Sequence, residues 1–250
     1  MNTLTLSLLA AAAVFIIFSV PAHAAKLDSR IESSARQSYV FKTYLKNDEI
    51  KINSKGGAVI LTGVVSDSVH KSLAQETVAG LPGVKCVDNR LEVKGARPSA
   101  NSDEWLSEKV KVTLLFHRSV SSTTTEILVK DGVVTLRGNV ASQAQKELTA
   151  EYVKDVDGVK DVVNEMVVKN VPETKRSVGE KIDDASITAQ VKMTLLYHRS
   201  TSALNTKVET RRGVVTLHGK AQSVSEKDFA SKFANDVDGV TSVKNFMTIE

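Results

Sequence analysis

The segments "VTLLFHRSVS" (112–121) and "MTLLYHRSTS" (193–202) place a His-Arg-Ser triplet twice in this chain, 81 positions apart. Imidazole beside a cation and a hydroxyl is a grouping that can move protons, hold a metal or grip an anion. The five histidines, at 23, 70, 117, 198 and 218, include no H-x-x-x-H pair. Close carboxylates recur as Asp155-Asp157 and Asp236-Asp238, each within "DVDG". That tetrapeptide lacks the later ligands and distal Glu of a calcium loop, and its place after a helix points to solvated capping rather than acid–base work. "GVVTLHGK" imitates a phosphate loop, but Gly213 and Gly219 enclose five residues instead of four, and Ala221 replaces the required Ser or Thr. Cys86 is the only cysteine, so no intrachain disulfide forms, and its flanks offer no His or helix N-terminus to activate it. With no nucleophile–base pair, the residues predict a protein that is not an enzyme and carries no metal or cofactor.

The elements that position these residues are themselves repeated. "GAVILTG" (57–63), "GVVTLRG" (132–138) and "GVVTLHG" (213–219) are one segment written three times, each followed 26 residues later by a Gly-Val pair. Three copies of a module of about 70 residues therefore fill the chain. Each module opens on a helix: Leu106, Val110 and Leu114 match Ile187, Val191 and Leu195 at i, i+4, i+8. Ser102 or Asp103, and Asp184, are the candidate N-caps, and the helices should end near His117-Arg118 and His198-Arg199. A hairpin follows, with Asp131-Gly132, Arg212-Gly213 and Gly56-Gly57 at its turn, where the second Gly supplies positive φ. A capping box, Ser142-x-x-Gln145 or Ser223-x-x-Glu226, starts a second helix, with Asp67 alone in copy one. The last element alternates with period two through Asn89, Asn164 or Asn245, and that Asn is expected to bond backbone at a strand edge or bulge. The prediction is an α+β fold of three tandem α-β-β-α-β modules, each a three-stranded mixed sheet with two helices on one face.

Composition narrows the function classes. The chain of 250 residues has 33 Lys+Arg against 29 Asp+Glu, too small an excess for a dedicated nucleic-acid binder. Residues 1–25 contain no Asp, Glu, Lys or Arg, carry an apolar run from Leu4 to Val20, and close on Ala22-His23-Ala24. This reads as a secretory signal peptide over 1–24, giving a periplasmic mature protein. The modules then occupy 30–95, 102–170 and 182–250, joined by "GARPSANS" (95–102) and "VPETKRSVGEKIDDA" (171–185), linkers that would let the copies reorient. Counted by segment, net charge is +4 over 26–97, −2 over 98–169 and +2 over 170–250.

The order helix, "V-x-x-G-V-V-T-L-x-G" hairpin, capped helix and "V-x-G-V-x-x-V-x-N-x-M/L-x-V" strand resembles the BON module, over residues 36–250. An export signal with tandem copies is similar to the hyperosmotically inducible periplasmic proteins. Copy one departs, since "KTYLKNDEIKINSKGGAVILTG" has no His-Arg-Ser. The resemblance implies a non-catalytic module that binds phospholipid surfaces and maintains the envelope under osmotic stress. An anionic phospholipid surface is then the expected partner, with an envelope protein as the alternative in a multivalent or chaperone-like scaffold. Lys111, Phe116, Arg118, Lys192, Tyr197 and Arg199 are the candidate lipid-binding residues, because they combine cations with aromatic rings. The competing role for the same residues, and the one favoured here, is helix termination beside a core, since His-Arg suits a helix C-terminus. Trp105 is expected in the core, beside Leu106.

Overall fold

The computed structural model describes residues 22–95, 102–120, 125–169, 181–201 and 206–250. The signal-peptide expectation, and most of both linkers, lie outside the described residues.

Module 1 comprises α1 (Ala22–Gln37), α2 (Tyr39–Thr43), β1 (Glu49–Lys55), β2 (Ala58–Val65), α3 (Ser68–Ala79) and β3 (Cys86–Val93). Module 2 runs α4 (Asp103–Phe116), β4 (Thr125–Lys130), β5 (Val133–Val140), α5 (Gln143–Lys154), β6 (Asp161–Asn164) and β7 (Val167–Val168). Module 3 repeats it as α6 (Asp184–Tyr197), β8 (Thr206–Arg211), β9 (Val214–Ala221), α7 (Val224–Asn235), β10 (Ser242–Asn245) and β11 (Thr248–Ile249). Each sheet is mixed: the hairpin strands pair antiparallel, and the last strand pairs parallel with the hairpin's second strand. In modules 2 and 3 that last strand is in two pieces on the same neighbour, so the three-stranded plan stands with one interrupted strand.

The recurrent Asn lies at the interruption. Asn164 Nδ2 donates to Lys146 O (2.8 Å) on α5, and its Oδ1 accepts from Met166 N (3.2 Å). Asn245 repeats this with Lys227 O (2.9 Å) and Met247 N (2.9 Å), and Asn89 with Lys71 O (3.0 Å) and Leu91 N (3.2 Å). One amide thus ties the strand to the helix above it and satisfies the backbone N–H two residues on, which in modules 2 and 3 lies at the break between the two strand pieces.

The hairpin turns have positive φ at both central residues, 54° and 82° at Asp131-Gly132, as type I′ geometry requires. A carboxylate from the opening helix grips each turn. Asp103 accepts from the amides of Asp131 (2.7 Å) and Gly132 (3.0 Å), and Asp184 accepts from Arg212 (2.7 Å) and Gly213 (2.9 Å). Asp28 does the same at Gly56 (2.8 Å) and Gly57 (3.1 Å), and these amide bonds, with Ser54, hold its carboxyl below the usual range. Asp184 is therefore not the N-cap expected of it. Asp183 caps α6 by accepting from Ser186 N, and Ser102 caps α4 by accepting from Trp105 N. In the capping boxes the reciprocal bond reaches one residue earlier than expected, from Ala141 N to Gln145 Oε1 and from Gln222 N to Glu226 Oε2.

Three modules build two cores. Leu106, Val110 and Leu114 of α4 share one apolar cluster with Ile187, Val191 and Leu195 of α6, so modules 2 and 3 have a common interior. The second cluster joins module 1 to the opposite sides of the same helices, through Val112 and Phe116, and Ala185, Ala189 and Met193. Helix α6 is consequently enclosed, with 10 of its 14 residues buried. Gly80, ending α3, lies against Ala185 so closely that a Cβ there would meet its Cα at 3.4 Å. The copies are packed together rather than strung on free linkers.

Replacing Asn245 by Ala should lower stability by about 1–3 kcal/mol, by orphaning Met247 N–H and cutting the strand's tie to Lys227 C=O. Urea unfolding of the full chain measures this, and a midpoint equal to wild type would refute the strand-tying role.

Candidate functional site

The two His-Arg-Ser triplets and the two DVDG loops meet, each triplet in the loop of the other module. Helix α4 stops because His117 adopts an extended conformation (φ −80°, ψ 121°), as His198 does after α6 (φ −83°, ψ 128°). Each released segment runs antiparallel to the opposite loop, pairing His117 with Val237 and His198 with Val156. The backbone bonds are reciprocal. Arg118 N donates to Asp236 O (2.9 Å) and Asp238 N to Phe116 O (3.2 Å), while Arg199 N donates to Asp155 O (2.8 Å) and Asp157 N to Tyr197 O (3.0 Å).

Side chains complete the clasp. His117 Nδ1 is 3.1 Å from Asp236 Oδ2, His198 Nδ1 is 2.9 Å from Asp155 Oδ2, and the two Nε2 atoms are 3.2 Å apart. The imidazoles are 0% and 1% exposed. Each stacks on an aromatic ring of its own module, His117 on Tyr152 (4.0 Å) and His198 on Phe233 (3.8 Å). Ser200 Oγ donates to Asp155 Oδ1 (2.5 Å) and Ser119 Oγ to Asp236 Oδ1. Tyr152 adds a bond to Asp236 Oδ2 (3.0 Å) that Phe233 cannot return to Asp155. Burial, then the Asp236 charge, pushes the Tyr152 phenol well above its ordinary value, so it stays a donor. Burial alone would raise both carboxyls, but for Asp155 the bonds from His198 and Ser200 outweigh it, and for Asp236 those from His117, Ser119 and Tyr152. Both carboxyls therefore lie below 3.8.

The arginines cap helices across the interface. Arg199 Nη2 lies 2.6, 3.2 and 2.7 Å from the carbonyls of Lys154, Val156 and Val159 at the end of α5. Arg118 reaches Val240 O (3.2 Å) and Asn235 O at the end of α7. The expectation that His-Arg serves a helix C-terminus is met by the opposite module's helix rather than by its own.

Three of the remaining candidates, Phe116, Tyr197 and Lys192, occupy the junction with module 1. Phe116 is fully buried and edge-on to Tyr44 (5.5 Å), which withdraws it from any headgroup interface. Tyr197 packs against the module 1 cluster, and burial, with the Asp67 and Glu108 charges, pushes its phenol up. Lys192 Nζ pairs with Glu76 (2.8 Å) on α3. Lys111 is exposed on α4. Trp105 is half-buried, with the buried Lys109 ammonium 4.2 Å from its ring. The six residues chosen for lipid contact are thus not one surface. Elsewhere, Asp48 and Ser66 both approach His70 at Nδ1, at 2.6 and 3.2 Å, which is not the arrangement of a nucleophile and its base. Among the described residues no group of three or more metal-ligating side chains occurs.

Asp155 and Asp236 do end their helices, but Asp236 is buried and Asp155 half-buried against histidine rather than solvated, and this pairing is the feature that sequence reasoning missed. The signal was a joint loss: module 1 has neither His-Arg-Ser nor the Asp, with Gly80 ending α3 where Asp155 and Asp236 end α5 and α7.

The BON domain family model matches residues 27–95, 102–170 and 183–250. The chain belongs to the BON domain family. It is 34% identical over 197 residues to Osmotically-inducible protein Y of Escherichia coli (strain K12), covering 78% of this chain and 95% of that protein. It is 29% identical over 139 residues to the Outer membrane lipoprotein DolP of Haemophilus influenzae, covering 55% of this chain and 70% of that one. A solved structure of the C-terminal domain of CdsD, a structural protein of the Chlamydia trachomatis type III secretion system, covers 90% of this chain and 97% of its own. Its identity is 17% and its TM-score 0.24, an overlap that bears on no functional point. In this chain the clasp joins BON domains 2 and 3 and leaves BON domain 1 to pack on their helices.

Asp236→Ala should cost about 3 kcal/mol or more, because it strands the buried His117 and Tyr152 donors. Arg199→Glu should destabilise similarly, by aiming a carboxylate at three carbonyls, with or without lipid present. Thermal unfolding of both variants tests this, and wild-type midpoints would refute the clasp.

Proposed function

We propose that this protein is a non-catalytic envelope protein that associates with anionic phospholipid surfaces through the open face of its third BON sheet. The observation that carries this reading is the composition of that face. Strand alternation turns Val208, Val215 and Leu217 inward and leaves Lys207, Arg211, Lys220 and Lys244 exposed. Phe246, 59% exposed, stacks on His218 (5.4 Å) within this cationic field. Cations around an exposed ring suit a headgroup interface, where each basic residue contributes about 1 kcal/mol. Glu209 and Glu250 pair with Lys207 and Lys220 in exposed contacts of small strength, leaving a basic excess. The corresponding face of BON domain 2 carries Glu126, Asp161 and Glu165 against Lys130 and Arg137, so attraction to anionic lipid is weaker there.

Relatives named for osmotic induction and for the outer membrane support a role at the envelope under osmotic stress. The apolar run from Leu4 to Val20 closing on Ala22-His23-Ala24 supports periplasmic residence. Packing of all three modules about α4 and α6 favours the surface-binding reading over a scaffold of independently reorienting copies.

Co-sedimentation with vesicles of graded anionic lipid content tests the proposal. Binding should rise with anionic lipid and fall with salt. Lys244→Glu should weaken it by roughly tenfold or more, since two units of charge are removed from the face. Phe246→Ala should weaken it at high salt as well, whereas Lys111→Glu should leave it unchanged. Binding indifferent to lipid charge and to Lys244 would overturn this reading.

A further inference from the structure

The centre of the clasp poses a problem of proton counting. Asp236 Oδ2, the His117 ring, the His198 ring and Asp155 Oδ2 form one continuous line with contacts of 3.1, 3.2 and 2.9 Å. Three hydrogen bonds require three protons. Ionised carboxylates have none, so each Nδ1 supplies the proton to its own Asp. Two neutral imidazoles would then have no proton left, and their Nε2 lone pairs would face each other across 3.2 Å in a site without water access. Two doubly protonated rings would set two N–H groups head to head. A single proton on the Nε2 pair satisfies every atom in the line.

We propose that BON domains 2 and 3 are locked together by one proton shared between His117 Nε2 and His198 Nε2, which makes the interface stable only within a window of pH. Uptake of a second proton, or loss of the shared one, turns the central contact from attractive to repulsive. Because the same line is bracketed by the backbone bonds of Arg118 and Arg199, its failure loosens the whole clasp.

The surroundings are consistent with one positive charge, not two. From α4 and its exit come His117, Arg118 (3.8 Å from Asp236) and Ser119; from α6 and its exit come His198, Arg199 and Ser200. Helix α5 and its loop present Tyr152, Asp155 and Asp157, the last paired with Lys109 (3.0 Å). Helix α7 and its loop present Asp236, Asp238 and Lys232, which lies 3.8 Å from Glu151. Burial holds His198 below the ordinary imidazole value of 6.5, and the His117 charge and Lys232 act in the same direction against the Asp155 bond. A depressed imidazole stabilises the folded state fully above 6.5 and loses that stability as pH falls through its folded value. The two carboxyls, also depressed, lose theirs only below 3.8, so on acidification the imidazole responds first.

A metal ion is the other electrophile that two facing nitrogens can hold. A linear two-coordinate ion needs two bonds of about 2 Å, hence nitrogens about 4 Å apart. The observed 3.2 Å suits a proton instead.

The test uses the full chain with isotopically labelled histidine. Ring-nitrogen NMR near neutral pH should find three of the four nitrogens of His117 and His198 bearing protons, counting the shared one. Two protonated nitrogens, or four, would overturn the proposal, as would ring signals that move on adding Zn(II) or Cu(I) or on chelation. Hydrogen exchange supplies the second reading. Between about pH 7.5 and about pH 5, the amides of Arg118 and Arg199, corrected for intrinsic rate, should lose protection roughly tenfold or more, while Leu217 in β9 keeps its own. Clasp amides whose protection is independent of pH, or falls only in step with Leu217, would refute the lock. The H117Q/H198Q variant retains hydrogen-bonding side chains without titration and should show no such step; if it does not fold, the wild-type nitrogen count still decides.

Discussion

A carboxylate at the C-terminal end of a helix is in the wrong place twice over. The end of the helix is already negative, and burial removes the water that would screen the two. Asp155 and Asp236 occupy that position at the ends of α5 and α7, and Asp236 is only 8% exposed. Neither module has the means to satisfy its own Asp. The missing donors and cations come from the other copy: an imidazole, a hydroxyl, a backbone amide and a guanidinium. Two modules that are each locally incomplete become complete only when paired, and the approximate twofold relation between them follows from that exchange.

Everything around the clasp is organised by this pairing. Bringing the C-terminal ends of α4 and α6 into the opposite loops places the two helices together, so their i, i+4 stripes feed one interior. The outward sides of the same helices are then an apolar platform, and BON domain 1 covers it, with Tyr39 N donating to Asp183 (2.7 Å) and Val40 N to Ser186 (3.1 Å). Domain 1 has no need of His-Arg-Ser, because it docks onto helix sides rather than into a loop. Its Gly80 matches that role, since it lies against Ala185, where a Cβ would already be in contact. Helices α4 and α6 lie between the two cores while alternate residues of the sheet strands are exposed, which separates the surfaces that hold the protein together from those free to meet a partner.

That division explains why Lys111, Phe116, Arg118, Lys192, Tyr197 and Arg199 do not form one surface. Phe116 and Tyr197 pack at the junction with BON domain 1, while the two arginines, although exposed, are engaged with helix-end carbonyls of the opposite domain. Aromatic rings and guanidinium groups are amphipathic, and their type does not tell water from protein. The face now proposed for lipid, around Phe246 and Lys244, attracts little notice in the sequence because its members are scattered over β8, β9 and β10.

What the sequence determined by itself is local. Three α-β-β-α-β modules, the helix stops at His117 and His198, the positive-φ hairpin turns and the backbone-bonding Asn are all legible, because each depends on periodicity or on a short-range steric or capping rule. The tertiary structure decided everything that depends on partners distant in the chain. The second apolar stripe of α6, the grip of Asp103 and Asp184 on turns 28 and 29 residues away, and the exchange of His-Arg-Ser for DVDG across 119 residues have no local signature. The His-Arg-Ser triplet looks the same in sequence whether it ends its own helix or completes another. Only the fold, by bringing Asp236 to His117, settles which of the two it does.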